Sequence, residues 1–161
     1  MSKEQTPPER QTRTGRRLGL LRVALDQALD AVLAQVRPAH PVLRPAHVQI
    51  FRFDGIEGST TAALAAHAGM TKQSMHELVT HLEQHGYLTR EPDPRDTRAR
   101  LVRLTPSGRA LEREVHHAIA HVLETWQARL GPDRFDTLWA ILQDITDEHQ
   151  PLPDLAEIRM H

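Results

Sequence analysis

Between Thr60 and Gly108 the hydrophobic period of the chain changes twice, and few folds accommodate that. Before Gly86 the apolar residues recur every three or four positions, as on one face of a helix. From Tyr87 to Leu104 they alternate, and after Thr105-Pro106 the helical period returns. Helices, one hairpin and helices again is the order this implies. In the first block Thr60 is placed to cap a helix over residues 61–67, with Leu64 and Ala65 facing inward. Gly69 supplies a tight turn. Thr71 caps a second helix, which presents Met75, Leu78, Val79 and Leu82 on one face and ends at Gly86, a residue suited to a left-handed C-terminal position. Two helices joined by a short glycine turn form a helix-turn-helix.

The hairpin follows directly. Residues 87–91 read as a strand, 92–97 as a proline-rich tip, and 99–104 as the return strand with Val102 and Leu104 on one face and Arg103 on the other. The flanks are helical. Leu18, Leu21, Leu25, Leu29, Val32 and Val36 form a stripe that Pro38 and Pro41 end, and a short helix follows Pro45 through Val48, Ile50 and Phe51. Thr105-Pro106 opens a long helix running to about Leu130, because proline is preorganised for the first helical position. Gly131-Pro132 breaks it, and Phe135, Leu138, Leu142 and Ile145 mark a last amphipathic helix. The expected fold is mainly α with a small β-hairpin wing: a winged helix-turn-helix flanked by N- and C-terminal dimerisation helices. The boundaries expected are a disordered tail over 1–15, a dimerisation helix over 16–44, the winged domain over 45–105, dimerisation helices over 106–150, and a tail over 151–161.

Composition narrows the function. The chain has 161 residues, 39% of them hydrophobic but only 4% aromatic, so its core must be built from Leu, Val, Ala and Ile. No apolar run reaches the roughly eighteen residues of a membrane span, and the polar N-terminus lacks a signal-peptide pattern. A cytoplasmic protein without a membrane partner is expected. Cysteine is absent, which removes disulfides and thiol chemistry. The net charge of −1 hides a polarity, with Arg and Lys crowded at the N-terminus and over 90–113, and Asp and Glu gathered towards the C-terminus. Such a chain can bind phosphate on one face. No catalytic motif is present: neither Gly-x-Ser-x-Gly, nor a phosphate-cradling glycine loop, nor a cysteine nucleophile. An enzyme is not expected, nor is a cofactor.

The stretch from Gly69 to Gly108 resembles the multiple antibiotic resistance regulator (MarR) family. The likeness rests on Gly86-Tyr87-Leu88, on Asp93-Pro94-Arg95-Asp96-Thr97-Arg98, and on Leu104-Thr105-Pro106-Ser107-Gly108, in which Asp96-x-Arg98 and the following Leu104-Thr105 hold the family spacing. Helix order extends it over about residues 18–148. Two positions depart from the pattern: Ala63 stands where many members carry a glutamate that completes a capping box, and Ala66 where a basic residue is common. The resemblance implies dimeric winged-helix repressors released by small ligands, with the helix from Thr71 in the major groove and Arg98 reaching the minor groove.

On the helix from Thr71, burial of the apolar face leaves Lys72, Gln73, His76 and Thr80 outward. Lys72 suits guanine O6 or N7 and Gln73 suits adenine, while Thr71 and Ser74 can donate to phosphate at the positive end of the helix. In the wing, Arg95, Arg98 and Arg100 lie among Asp93 and Asp96. They read either as a salt-bridged tip or as guanidinium groups for a narrow, electronegative minor groove. Leu18, Leu21, Leu25, Phe135, Leu138 and Leu142 have no evident cover within one subunit, which points to a two-fold homodimer.

The small-molecule effector implied by the resemblance would lie near His40, His47 and Phe51. Eleven histidines raise two alternatives. His117 and His121, four residues apart on one helix face, have a spacing that can chelate zinc, with His116 or His47 nearby. His76, His81 and His85 would make binding to double-stranded DNA sensitive to pH. A winged helix used only as a protein-interaction module is a further alternative, against which the basic wing argues.

Overall fold

Three threonines set the frame. Thr60, Thr71 and Thr105 each hold an extended backbone, and each side-chain oxygen accepts a hydrogen bond from the N–H three residues on, at Ala63, Ser74 and Gly108. Each such cap contributes on the order of 1 kcal/mol and fixes where its helix begins. The computed structural model describes residues 8–51, 56–96 and 98–146, with side chains over 19–51, 56–96 and 98–145. The elements are α1 (Pro8–Val36), α2 (Pro45–Phe51), α3 (Thr61–His67), α4 (Lys72–Gln84), β1 (Leu88–Pro92), β2 (Arg100–Leu104), α5 (Pro106–Leu130) and α6 (Pro132–Thr146).

α1 begins at Pro8, so residues 8–15 are helical where a disordered tail was expected. Proline fits the first helical position, and the only glycine before the leucine stripe, Gly15, is a cost that a long helix tolerates. Residues 1–7 and 151–161, the expected tails, lie outside the described residues apart from that overlap.

β1 and β2 pair antiparallel in the register Leu88↔Leu104, Arg90↔Val102 and Pro92↔Arg100. Proline at the tip end of an edge strand costs no ladder bond. The segment before α3 lies along the other side of β2, with Val102 N–H donating to Ser59 O at 2.8 Å and Gly58 N–H to Val102 O at 2.9 Å. Gly86, at φ 75°, ends α4 and turns the chain into β1. Gly108 has a different role: a Cβ there would run into the Tyr87 carbonyl, so only glycine lets α5 start this close to the root of the hairpin. Thr105 reinforces that junction by donating its hydroxyl to Gly86 O at 2.6 Å.

A single buried cluster joins the last turns of α1 (Val32, Leu33, Val36), α2 (Val48, Ile50, Phe51), α4 (Met75, Val79, Leu82), the hairpin (Leu88, Val102, Leu104) and α5 (Leu111, Val115, Val122). The outer ends of the flanking helices are left out of it. Leu20, Leu21, Val23 and Leu25 on α1 and Ile141 and Ile145 on α6 are exposed, Ile145 to 72%. No helix among the described residues is long and apolar enough to cross a membrane.

Candidate nucleic-acid interface

α4 buries Met75, Val79 and Leu82 completely, half-buries Leu78, and turns Lys72, Gln73 and His76 to solvent. Its amphipathic spacing therefore orients it as the sequence suggests. Local bonding engages three of the expected contact residues. The Thr71 hydroxyl donates to Ser74 Oγ at 2.9 Å while accepting from Ser74 N–H, so both side chains are engaged in the cap. Gln73 Nε2 donates to Glu77 Oε1 at 3.2 Å, which steadies the amide along the outer face. Glu77 brings a negative charge to that face that the sequence reading did not weigh.

In the wing, the aspartates hold backbone rather than guanidinium groups. Asp93 Oδ1 accepts from Arg95 N–H at 2.8 Å and Asp96 Oδ1 from Arg98 N–H at 3.0 Å. Short aspartate side chains commonly bond the backbone two residues on in this way, which stabilises a tip lacking regular structure. The salt-bridged alternative for the tip is thereby corrected: among the described residues no ion pair involves Arg95, Arg98 or Arg100, and all three are exposed. Arg103 behaves oppositely. It pairs with Glu57 at 3.2 Å and Glu91 at 3.3 Å, and Arg109 reaches Glu57 at 3.4 Å.

Between α4 and the wing lies a basin of about 560 Å³, lined by Thr61, His76, Glu83, Arg90, Arg98 and Arg100. Arg90, which the sequence reading did not single out, joins its two walls. Its Nη1 donates to Glu83 Oε2 at 2.9 Å and its Nη2 to Thr80 Oγ1 at 2.9 Å.

The remaining candidates are scattered. His40 bonds the Tyr87 hydroxyl at 2.8 Å and Glu114 at 3.0 Å, and burial, with Glu114 nearby, raises the Tyr87 pKa. Phe51 is fully buried core and His116 donates to its carbonyl, so it is not a lining residue. His47, also buried, accepts from Arg44 N–H at 2.9 Å and stacks on His81 at 4.6 Å, with His85 against His81 at 4.3 Å. Burial, then the charges of His81, Arg44 and His85, lower its pKa to about 4. His47 borders an open concavity of about 590 Å³ against α4, with Arg44, Met70, Leu78 and His81. Thus the structure does not bring His40, His47 and Phe51 together around one space.

No group of three or more His, Cys, Asp or Glu that could hold a metal exists among the described residues, so no further ligand joins His117 and His121. Of the expected dimer residues, Leu21 and Leu25 are exposed and Leu138 and Leu142 half-buried. Phe135 is 5% exposed and packs edge-on to Trp139 at 5.8 Å, so its own subunit covers it. The side chain of Leu18 lies outside the described set. Leu20, Val23, Ile141 and Ile145 belong with Leu21 and Leu25 instead. Leu20, Val23 and Ile141 fall off the apolar stripes read from the sequence, whereas Ile145 is the last residue of the α6 stripe.

The family model of the MarR family matches residues 43–99, the span from α2 to the end of the wing tip. Over that span, about a third of its length, the chain is similar to the MarR family. Members of that family are DNA-binding transcriptional regulators without enzymatic activity. No curated protein matches by sequence. Solved structures share the fold over most of the chain. Apo MarR of E. coli is 21% identical over 88% of this chain and 98% of that one, with a TM-score of 0.65. The transcriptional repressor CouR bound to a 23-mer DNA duplex is 23% identical over 89% and 99%, with a TM-score of 0.70. CouR from Rhodococcus jostii RHA1 bound to p-coumaroyl-CoA is 23% identical over 83% and 93%, with a TM-score of 0.66.

Proposed function

We propose that this protein is a MarR-family regulator, a cytoplasmic repressor that binds a pseudo-palindromic DNA site as a homodimer and leaves it when a small molecule binds. The observation that carries the reading is the wing. Its three exposed arginines have no ion-pair partner among the described residues, and they stand beside an α4 face bearing Lys72, Gln73 and His76. Elsewhere on the same hairpin arginines are neutralised, so the surplus is local and suits a polyanion. α4 enters the major groove, with Lys72, Gln73 and His76 nearest the base edges and the cap at Thr71 and Ser74 close to a phosphate. Arg95, Arg98 and Arg100 follow the backbone into the adjacent minor groove.

Homodimerisation is supported by the exposed apolar ends of α1 and α6, which an isologous interface would cover. A two-fold axis between them would set two copies of α4 about one DNA turn, roughly 34–36 Å, apart. The structural neighbour named as a repressor supports repression, and the neighbour bound to p-coumaroyl-CoA supports control by a small organic ligand. The concavity bordered by His47 against α4 places an expected effector residue beside an open space. Selection of duplexes from a fragmented genome by the purified protein tests this. Recovery of a shared inverted repeat, bound about a thousandfold or more tighter than random duplex, is expected. Equal affinity for all duplexes would leave a sequence-tolerant binder.

A further inference from the structure

Arg90 has a position that neither the helix nor the wing explains alone. It belongs to β1, opposite Val102, yet its guanidinium leaves the hairpin and grips α4. Thr80 and Glu83 receive its two short bonds, and the His76 carbonyl lies 3.5 Å from Nη2. Residues 76, 80 and 83 follow one another along a single flank of α4, so one planar fork spans two turns of the helix. The Arg90 side chain is 18% exposed and that of Glu83 35%, so the pair is partly shielded from solvent. The same flank is one wall of the basin whose other wall carries Arg98 and Arg100. An element in the major groove and one in the neighbouring minor groove are separated by a single sugar–phosphate backbone, and this cationic basin is where it would pass.

Resting on the DNA-binding reading above, we infer that Arg90 is a positioning residue, which ties the wing to α4 at the spacing that straddles that backbone. Without the strut, Arg98 no longer meets DNA while α4 is seated, although both surfaces persist. Lysine cannot replace it, because a single ammonium does not supply two fixed, diverging bonds.

A double-mutant cycle decides the matter, using a duplex that the wild-type protein selects from a randomised pool and a series of KCl concentrations. Arg98→Ala alone weakens binding about tenfold, but less than about threefold in an Arg90→Met background. In an Arg98→Ala background, Arg90→Met leaves the salt slope unchanged. Circular dichroism and dimer mass remain those of the wild type. Losses that add to within about twofold would overturn the strut, since independent sites behave that way. A further drop of about one unit in salt slope, restored by Arg90→Lys, would also overturn it, because Arg90 would then touch phosphate itself. If Arg90→Met does not fold, Thr80→Val with Glu83→Met removes both side-chain acceptors and is read in the same cycle. A wild-type protein that selects no duplex sinks the DNA-binding reading rather than the strut alone.

Discussion

The wing and the outer ends of α1 and α6 both leave side chains unsatisfied, but of opposite kinds. In the wing the surplus is cationic: Arg95, Arg98 and Arg100 stay exposed while Asp93 and Asp96 spend their carboxylates on backbone N–H groups. On the terminal helices the surplus is apolar, with Leu20, Leu21, Val23, Leu25, Ile141 and Ile145 in solvent. Between them the winged core satisfies itself with three threonine caps, the paired Arg103 and Arg109, and a continuous apolar cluster. A molecule built this way asks for two partners. The apolar ends call for a second copy, because hydrophobic association needs no complementary charge. The wing calls for a polyanion. The two surfaces should fail separately, and that separation can be tested.

The largest effect is expected at the apolar ends. Leu21→Asp with Leu25→Asp places two charges in the proposed interface, so sedimentation should show a monomer at micromolar concentration. DNA affinity should fall by about a hundredfold or more, because the second half-site is then no longer bound intramolecularly. A dimer of unchanged mass would break the comparison at its apolar side.

Much of the architecture could be read locally. Thr60, Thr71 and Thr105 are followed by helices because a cap acts over three residues, and Gly86 marks its turn because few other residues adopt its positive φ. What escaped was non-local. The Arg90–Glu83 pair joins two elements that differ in period, and nothing in the spacing reveals that Arg90 faces α4. The stack of His47 on His81 joins α2 to α4 across more than thirty residues of chain. Phe135 was assigned to the interface because helical periodicity finds an apolar face without telling whether its own subunit covers it. The aspartates of the tip suggest the neighbouring arginines as partners, and only the loop geometry shows that they bond backbone N–H groups.

A smaller effect is expected at the wing. Arg98→Ala should weaken binding to a selected duplex about tenfold and reduce the salt slope by about one unit, with the dimer mass unchanged. Loss of the dimer in this variant would show that the two surfaces are not separate.

The smallest effect concerns the core between them. His47 has a folded-state pKa of about 4, below its ordinary value of 6.5, so the unfolded chain takes up a proton there that the folded chain refuses. Its contribution is complete above about pH 6.5 and is lost progressively as the pH falls towards 4. Thermal melts should show the midpoint falling through that window. His47→Asn, whose Oδ1 can accept the Arg44 N–H bond, should flatten the fall. An identical pH slope in the variant would remove His47 from the account.

The most direct measurement compares the wild-type protein with the Arg95→Ala, Arg98→Ala, Arg100→Ala triple variant on one selected duplex and one random duplex, across salt. The wild type should prefer the selected duplex by about a thousandfold or more, and the triple variant should lose affinity and about three units of salt slope while remaining a folded dimer. A triple variant that binds both duplexes as the wild type does would contradict the assignment of the wing to DNA.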